Sequence, residues 1–256
     1  MDTSTVAHTL IDARKSDTLI QIDEFPQSLP EAYAIQRVIT KNFGEAITGW
    51  KAAFTAPAAM EMMKTSEPAY GPLFEGSTLL SGDTLKSPKH CLRRIECEYA
   101  FKMASDFGPR DQEYTLDEIT EGVASLHPAI EVVHVRAEGA LDVGARAVIA
   151  DHCGNYAFVT GVGAQDWRSF DIINQPVELR VNDEKVAEGT GKNVLGNPIL
   201  SLAWIINRLR VDGYSVMKDE FITTGSCTGM YPVNQVSELV ADFGSLGRCK
   251  LNCAEK

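Results

Sequence analysis

The segment RRIECEYAFKM at 93–103 holds the acids best placed to do chemistry. Its alternation is strict: Ile95, Cys97, Tyr99 and Phe101 fall on one side of an extended chain, and Arg94, Glu96, Glu98 and Ala100 on the other. Read as a strand, it sets Glu96 and Glu98 on one face, about 6.5–7 Å apart. Facing water, these are ordinary surface acids. Facing a cavity, they repel and call for a cation between them, and oxygen ligands suit a hard ion such as Mg²⁺, Ca²⁺ or Mn²⁺. Glu131 bears on the choice. It sits in HPAIEVVHV among Ala129, Ile130, Val132 and Val133, the composition of a buried strand, where a lone ionised glutamate is costly unless paired or protonated. An ion pair with Arg136 or Arg94 would satisfy it. Alternatively, three glutamates from two neighbouring strands would hold an octahedral metal and leave positions open for a substrate.

Other reactive side chains are less telling by themselves. Lys51, beside Trp50, reads from its type as a surface lysine. Gly225, Ser226 and Thr228 read as turn residues. The six cysteines (Cys91, Cys97, Cys153, Cys227, Cys249 and Cys253) include no CxxC pair and no zinc-type spacing with histidine, so they read as small core residues of a reducing, cytoplasmic compartment. The N-terminus lacks the basic start and apolar block of a secretory signal, and the longest apolar run, ILSLAWII at 199–206, is far short of the roughly 20 residues that cross a bilayer. A net charge of −11 argues against nucleic acid and anionic membranes as partners. An acidic chain that handles an anionic substrate must cancel charge locally, and a metal ion does so.

The elements that must position these groups follow from periodicity. Residues 1–46 read as helical: Ser28 and Glu31 form a capping box, Pro30 fits the first turn, and Ala32, Ile35, Val38 and Ile39 make an apolar face. From about 47 to 256 the texture is short strands between Gly, Pro, Asn and Asp. Two helices interrupt it. One spans 116–127, capped by Thr115 and Glu118 and buried through Ile119, Val123 and Leu126. The other starts at Asn197-Pro198, buries Ile199, Leu202, Ile205, Ile206 and Leu209, and stops at Asp212-Gly213. VELRV and EKVAEG flank a tight hairpin turn at Asn182-Asp183. FITTGSCTG, SELVADFG and RCKLNCA read as further strands. Few helices among many strands indicate an α+β fold, and the chain reads as a single domain over 1–256.

The ordered series GWKAA (49–53), EPAYGPLFEG (67–76), RIECEYAF (94–101), HPAIEVVHVR (127–136), ADHCGNYAFVTG (150–161), GKNVLGNP (191–198), TTGSCTG (223–229) and DFGSLG (242–247) resembles the fumarylacetoacetate hydrolase superfamily. More narrowly, it is similar to the branch of 2-hydroxypenta-2,4-dienoate hydratases and 4-oxalocrotonate decarboxylases. The resemblance implies a mixed β-roll, a homo-oligomer, and Mg²⁺ or Mn²⁺ on Glu96, Glu98 and Glu131, the three that the charge argument selects. It implies that Lys51 lies near the substrate, and that Gly225, Ser226 and Thr228 face the site and donate hydrogen bonds to a substrate carboxylate.

Departures from the family pattern bear on the reaction. Ala69 stands where the hydratases usually carry an aspartate tied to proton transfer, His134 where an aspartate is usual, Asp151-His152-Cys153-Gly154 where Asp-Asn-Ala-Ser is common, and Gly229-Met230 where Arg-Pro is customary. The expectation is either that His134 or His152 has taken over proton transfer or that the enzyme is a weak hydratase with another main reaction. The resemblance implies a metal-dependent lyase on a small 2-oxo or 2-hydroxydienoic acid, foremost a hydratase of 2-hydroxypenta-2,4-dienoate-type substrates. A 2-oxo diacid decarboxylase, an acylpyruvate-type C–C hydrolase and a non-catalytic metal-binding protein are the alternatives.

Overall fold

The computed structural model describes residues 2–88, 93–233 and 236–256, so Cys91 lies outside the described residues. The N-terminal segment is helical as expected, with α1 (Thr3–Ser16) and α2 (Leu29–Asn42). Ser28 caps α2 by accepting the Glu31 amide, but the Glu31 carboxylate takes the Gln27 amide and not that of Ser28, so the box closes one residue early. Ala32, Ile35 and Ile39 are fully buried, while Val38 sits at the edge of the apolar face.

Strands β1 (Ile47–Ala53) and β2 (Ala69–Phe74) flank the short helix α3 (Pro57–Met62). Then come β3 (Thr78–Leu80), β4 (Thr84–Ser87), β5 (Arg93–Met103), helix α4 (Leu116–Glu121) and β6 (Val123–Val133). Helices α5 (Ala140–Val143) and α6 (Ala145–Ala150) precede β7 (Asn155–Thr160), β8 (Pro176–Val181) and β9 (Glu184–Thr190). Helix α7 (Pro198–Val211) leads to β10 (Phe221–Ser226), β11 (Tyr231–Val233), β12 (Ser237–Asp242) and β13 (Arg248–Glu255).

These strands build two mixed sheets. The larger runs β2-β1-β10-β5-β6-β7-β3, with β11 also on β5; the smaller runs β4-β13-β12-β8-β9. The hairpin between β8 and β9 turns at Asn182 and Asp183, both at positive φ, as a tight primed turn requires. The expected helix over 116–127 is corrected: α4 ends at Glu121, and Val123 and Leu126 belong to β6. The Thr115–Glu118 capping box is present, but Gly122 ends the helix, where a Cβ would fall 2.4 Å from the Phe107 ring. Beyond it, pairing with β5 along the whole strand outweighs the helical spacing of three apolar residues.

The two faces of the larger sheet differ. Cys97, Tyr99 and Ile130 point into the main apolar core, where β12 and β13 pack across β6 and Tyr99 meets Phe243 edge-on. Residues of opposite parity share the other face. There Leu73, Ala100, Ala129 and Phe158 form a small apolar floor. Cys97, Cys153, Cys227, Cys249 and Cys253 are buried free thiols, matching the reading of these positions as core.

Candidate metal centre and substrate cavity

Above that floor the register assembles the acids. Glu96 on β5 stands directly opposite Glu131 on β6, and Glu98 follows two residues along the same face of β5. Oxygens from the three carboxylates lie within 4.8 Å of one another. Lys51 reaches the cluster from β1, two strands away, because β10 between β1 and β5 presents small residues on this face. Its Nζ lies 2.5 Å from Glu131 Oε1 and donates to the Cys153 carbonyl at 3.2 Å. Glu131 thus has an ionic partner, but it is neither Arg136 nor Arg94. Arg136 is engaged with Asp151 at 3.5 Å.

Two of the three carboxylates are held in place. The Gly225 amide donates to Glu98 Oε2 at 2.9 Å from a bulge in β10. Only glycine fits there: its φ is +102°, and a Cβ would lie 1.9 Å from Thr55 Oγ1. Asn155, at the start of β7, donates from Nδ2 to Glu131 Oε1 at 3.1 Å. The Asn155 carbonyl in turn accepts from Arg14 and Arg136, at 3.0 and 2.8 Å, and both arginines lie against the buried Asp151. The N-terminal helix therefore reaches the cluster through Arg14. Sequence reasoning missed Asn155 and Arg14; an amide opening the otherwise apolar strand NYAFVT was the available signal for the first.

The charges do not balance. Three carboxylates face one ammonium, and Glu98 Oε1 and Glu131 Oε2 are buried with no hydrogen-bond donor among the described residues. Burial, then the charge of Glu131, push the Glu96 carboxyl up to about 7 against the pull of Lys51. Burial, then Glu131 and Glu96, raise Glu98 well above the carboxylate range. Burial works against the Lys51 ammonium, yet Glu131 and Glu96 hold its pKa above the ordinary lysine value. Hard oxygen donors in excess, close together and two of them orphaned, fit a divalent cation.

The cluster opens through Glu96 into a cavity of about 540 Å³, lined also by Lys51, Cys153, Gly225, Ser226 and Thr228. The Ser226 and Thr228 hydroxyls both donate to the Gly229 carbonyl, and Thr228 also accepts from the Cys97 amide. Most of the remaining wall is apolar and comes from the β1–α3 segment, α5 and α6, a contribution that the sequence reading did not single out.

Neither His134 nor His152, the expected proton carriers, is among the residues that line this cavity. His134 follows the end of β6 on the parity opposite to Glu131 and Val133, and its ring stands edge-on to Tyr156. His152 is fully buried beneath α2, its Nε2 3.1 Å from Thr40 Oγ1 and its ring against Phe74. Burial, then the nearby Arg14, push its pKa well below the usual histidine value. Ala69 pairs with Ala53 in the sheet and likewise does not line the cavity.

Comparison with known proteins matches this architecture. No family model matches the chain. It is 26 % identical to 2-keto-4-pentenoate hydratase of Burkholderia vietnamiensis over 227 residues, 88 % of this chain and 86 % of that one. It is also 26 % identical to 4-oxalocrotonate decarboxylase of Pseudomonas putida, over 230 residues with the same coverage. The structure of 4-oxalocrotonate decarboxylase from Pseudomonas putida G7, complexed with magnesium and adipate, superposes with a TM-score of 0.88 at 24 % identity, covering 98 % of this chain and 97 % of that one. The chain is thus similar to the hydratase/decarboxylase branch that its motifs implied and has the mixed α+β fold of that decarboxylase. No helix among the described residues is long and apolar enough to cross a membrane.

Proposed function

We propose that this protein is a divalent-metal-dependent hydro-lyase that hydrates a 2-hydroxypenta-2,4-dienoate-type acid to a 4-hydroxy-2-oxo acid. The observation that carries the reading is the convergence of Glu96, Glu98 and Glu131 beside Lys51 at the floor of one cavity. Glu96, Glu98 and Glu131 would hold Mg²⁺ or Mn²⁺, and the ion, when bound, supplies a Lewis acid toward the oxygens of a 2-oxo acid.

The remaining roles fall to the chain itself. Lys51 is the single lysine or arginine among the described residues lining the cavity, so its ammonium is the group that meets the substrate's negative charge. Cys153 is a poor base there, because burial pushes its thiol up to about 12. Lys51 Nζ is therefore the group best placed to deliver a proton to C5 of the dienol and to be reprotonated by the proton that leaves the 2-hydroxyl, with Glu131 fixing its position; the water then adds its hydroxyl at C4 and its proton at C3. The Ser226 and Thr228 hydroxyls stand at the cavity wall, where they can accept from the water added at C4 or, by turning away from the Gly229 carbonyl, donate to a carboxylate. The apolar walls keep other water from the reacting carbons.

Decarboxylation of a 2-oxo diacid is the second reading. It is favoured by the lack of a histidine or a carboxylic acid besides Glu96 among the described residues lining the cavity, since that reaction needs no activated water. Purified protein with Mg²⁺ and a panel of 2-oxo and 2-hydroxydienoic acids, followed for hydration, CO₂ release and acid release, separates the two readings and the C–C hydrolase. Loss of diene absorbance without CO₂ or a second acid is the expected result; CO₂ release at the faster rate would select the decarboxylase.

We further read the chain as a single catalytic domain, supported by one apolar core that joins α1 to β13, and as a cytoplasmic homo-oligomer. The buried free thiols and the family resemblance support the last two readings. Light scattering on the purified protein tests assembly.

A further inference from the structure

We infer that the substrate of this site carries a single carboxylate at the metal end and an extended apolar tail that lies along α3; this rests on the metal-dependent reading above and specifies its substrate class. A cavity of about 540 Å³ falls within the roughly 300–1,000 Å³ typical of drug-sized ligands, and a five-carbon acid leaves much of it unfilled. Away from the carboxylates most of the wall is apolar, with Phe54, Pro57, Met62, Leu141, Val148 and Met230; of its polar members there, Thr55 and Asn193, the second donates its side-chain amide to the Cys227 carbonyl. Among the described residues the one lysine on the lining, Lys51, is already held by Glu131 at the metal end. A second carboxylate at the far end would lose its water and find no cation, whereas an alkyl chain gains from the same surroundings.

Helix α3 supplies an independent observation. Its sequence, PAAMEM, has one charged residue, yet none of its residues is buried, and Met62 is 59 % exposed. An apolar helix that packs into no core leaves its apolar side chains free to cover a ligand. Methionine suits such a wall because its unbranched chain adapts to different shapes.

The test is calorimetric binding of saturated 2-oxo acids to the intact protein, with and without Mg²⁺. The expected result is Mg²⁺-dependent binding of 2-oxopentanoate that tightens about threefold to fourfold per added methylene up to 2-oxooctanoate. The eight-carbon diacid 2-oxosuberate should bind at least about tenfold more weakly than 2-oxooctanoate, because its second charge is desolvated without a partner. Met62→Lys, at an exposed position that folding does not depend on, should reverse that order. If 2-oxopentanoate binds with Mg²⁺ but the diacid matches or exceeds 2-oxooctanoate in the unaltered protein, the apolar tail is wrong and the metal centre stands. Absence of Mg²⁺-dependent binding for every 2-oxo acid overturns the metal-centre reading, and this inference with it.

Discussion

Lys51 Nζ lies 2.5 Å from the Glu131 carboxylate, with both side chains almost wholly shielded from water. The lysine comes from β1 and the glutamate from β6, so the contact joins distant strands at the carboxylate cluster. The two removals differ: without Lys51 three acids are left facing one another, whereas without the Glu131 charge Lys51 keeps Glu96 and Glu98 beside it.

Replacing Glu96, Glu98 or Glu131 by Gln should weaken Mg²⁺ binding by orders of magnitude and remove turnover, since a hard ion loses a charged ligand. Without metal the three should part company. Glu131→Gln removes the nearest of the three carboxylates around Lys51 and should destabilise the metal-free fold, by less than a fully broken buried pair would because Glu96 and Glu98 remain beside the ammonium. Glu98→Gln relieves repulsion and should leave the metal-free protein as stable or more so. Calorimetry with Mg²⁺ and urea unfolding in chelator check both halves; unchanged Mg²⁺ affinity in all three variants would remove the metal assignment.

Lys51→Met should lower turnover by roughly 10²–10⁴-fold, the usual worth of a positioned proton donor. It should not weaken Mg²⁺ binding, because it takes a positive charge away from the ligands. A variant that loses the ion but keeps its turnover at saturating Mg²⁺ would reverse the assignment of roles.

Stability of the metal-free protein should fall as pH rises from about 4.5 to about 7. Glu96 ionises near 7 in the fold against an ordinary 4.5, so the folded state holds protons that the unfolded chain releases, and raising the pH favours unfolding. Mg²⁺ replaces those protons and reverses the loss. The rise in Tm on adding Mg²⁺ should therefore be larger near about pH 8 than near about pH 5.5. Equal rises at the two pH values would place the bound ion elsewhere.

Gly225→Ala should cost both stability and metal affinity. The new methyl collides with Thr55, and the left-handed backbone adds about 1–3 kcal/mol of strain. A shift of the bulge withdraws the amide that orients Glu98. Retained Mg²⁺ affinity in a folded Gly225→Ala protein would mean that Glu98 needs no such support.

His134→Asn and His152→Asn should leave the shape of the pH–rate profile unchanged, because neither imidazole reaches the cavity. His152→Asn should still lower Tm, since it empties a packed site beneath α2. Loss of one limb of the profile in either variant would restore the histidine as the proton carrier.

Much of this was legible in the residues. Alternation along 93–103 put Glu96 and Glu98 on one face, because side chains on a strand repeat every second residue whatever the fold around them. The apolar neighbours of Glu131 marked it as buried, and the order of motifs implied the fold. Local rules failed where a distant contact outweighed them. Val123 and Leu126 have helical spacing but belong to a strand, since β5 lies alongside to pair with them. Type and neighbours alone made Lys51 a surface lysine; the fold buries it because a strand far along the chain brings it a carboxylate. The histidines looked available because sequence carries no record of which side of a turn a ring takes, and the fold turned both away from the cavity. Asn155, Arg14 and the apolar wall of α3 acquire their roles only through neighbours remote in sequence. Residue type and spacing determined which groups can bind a cation, because valence and strand period are local properties. Which of them meet, and what faces them, was decided by tertiary packing, which joins segments that no local pattern relates.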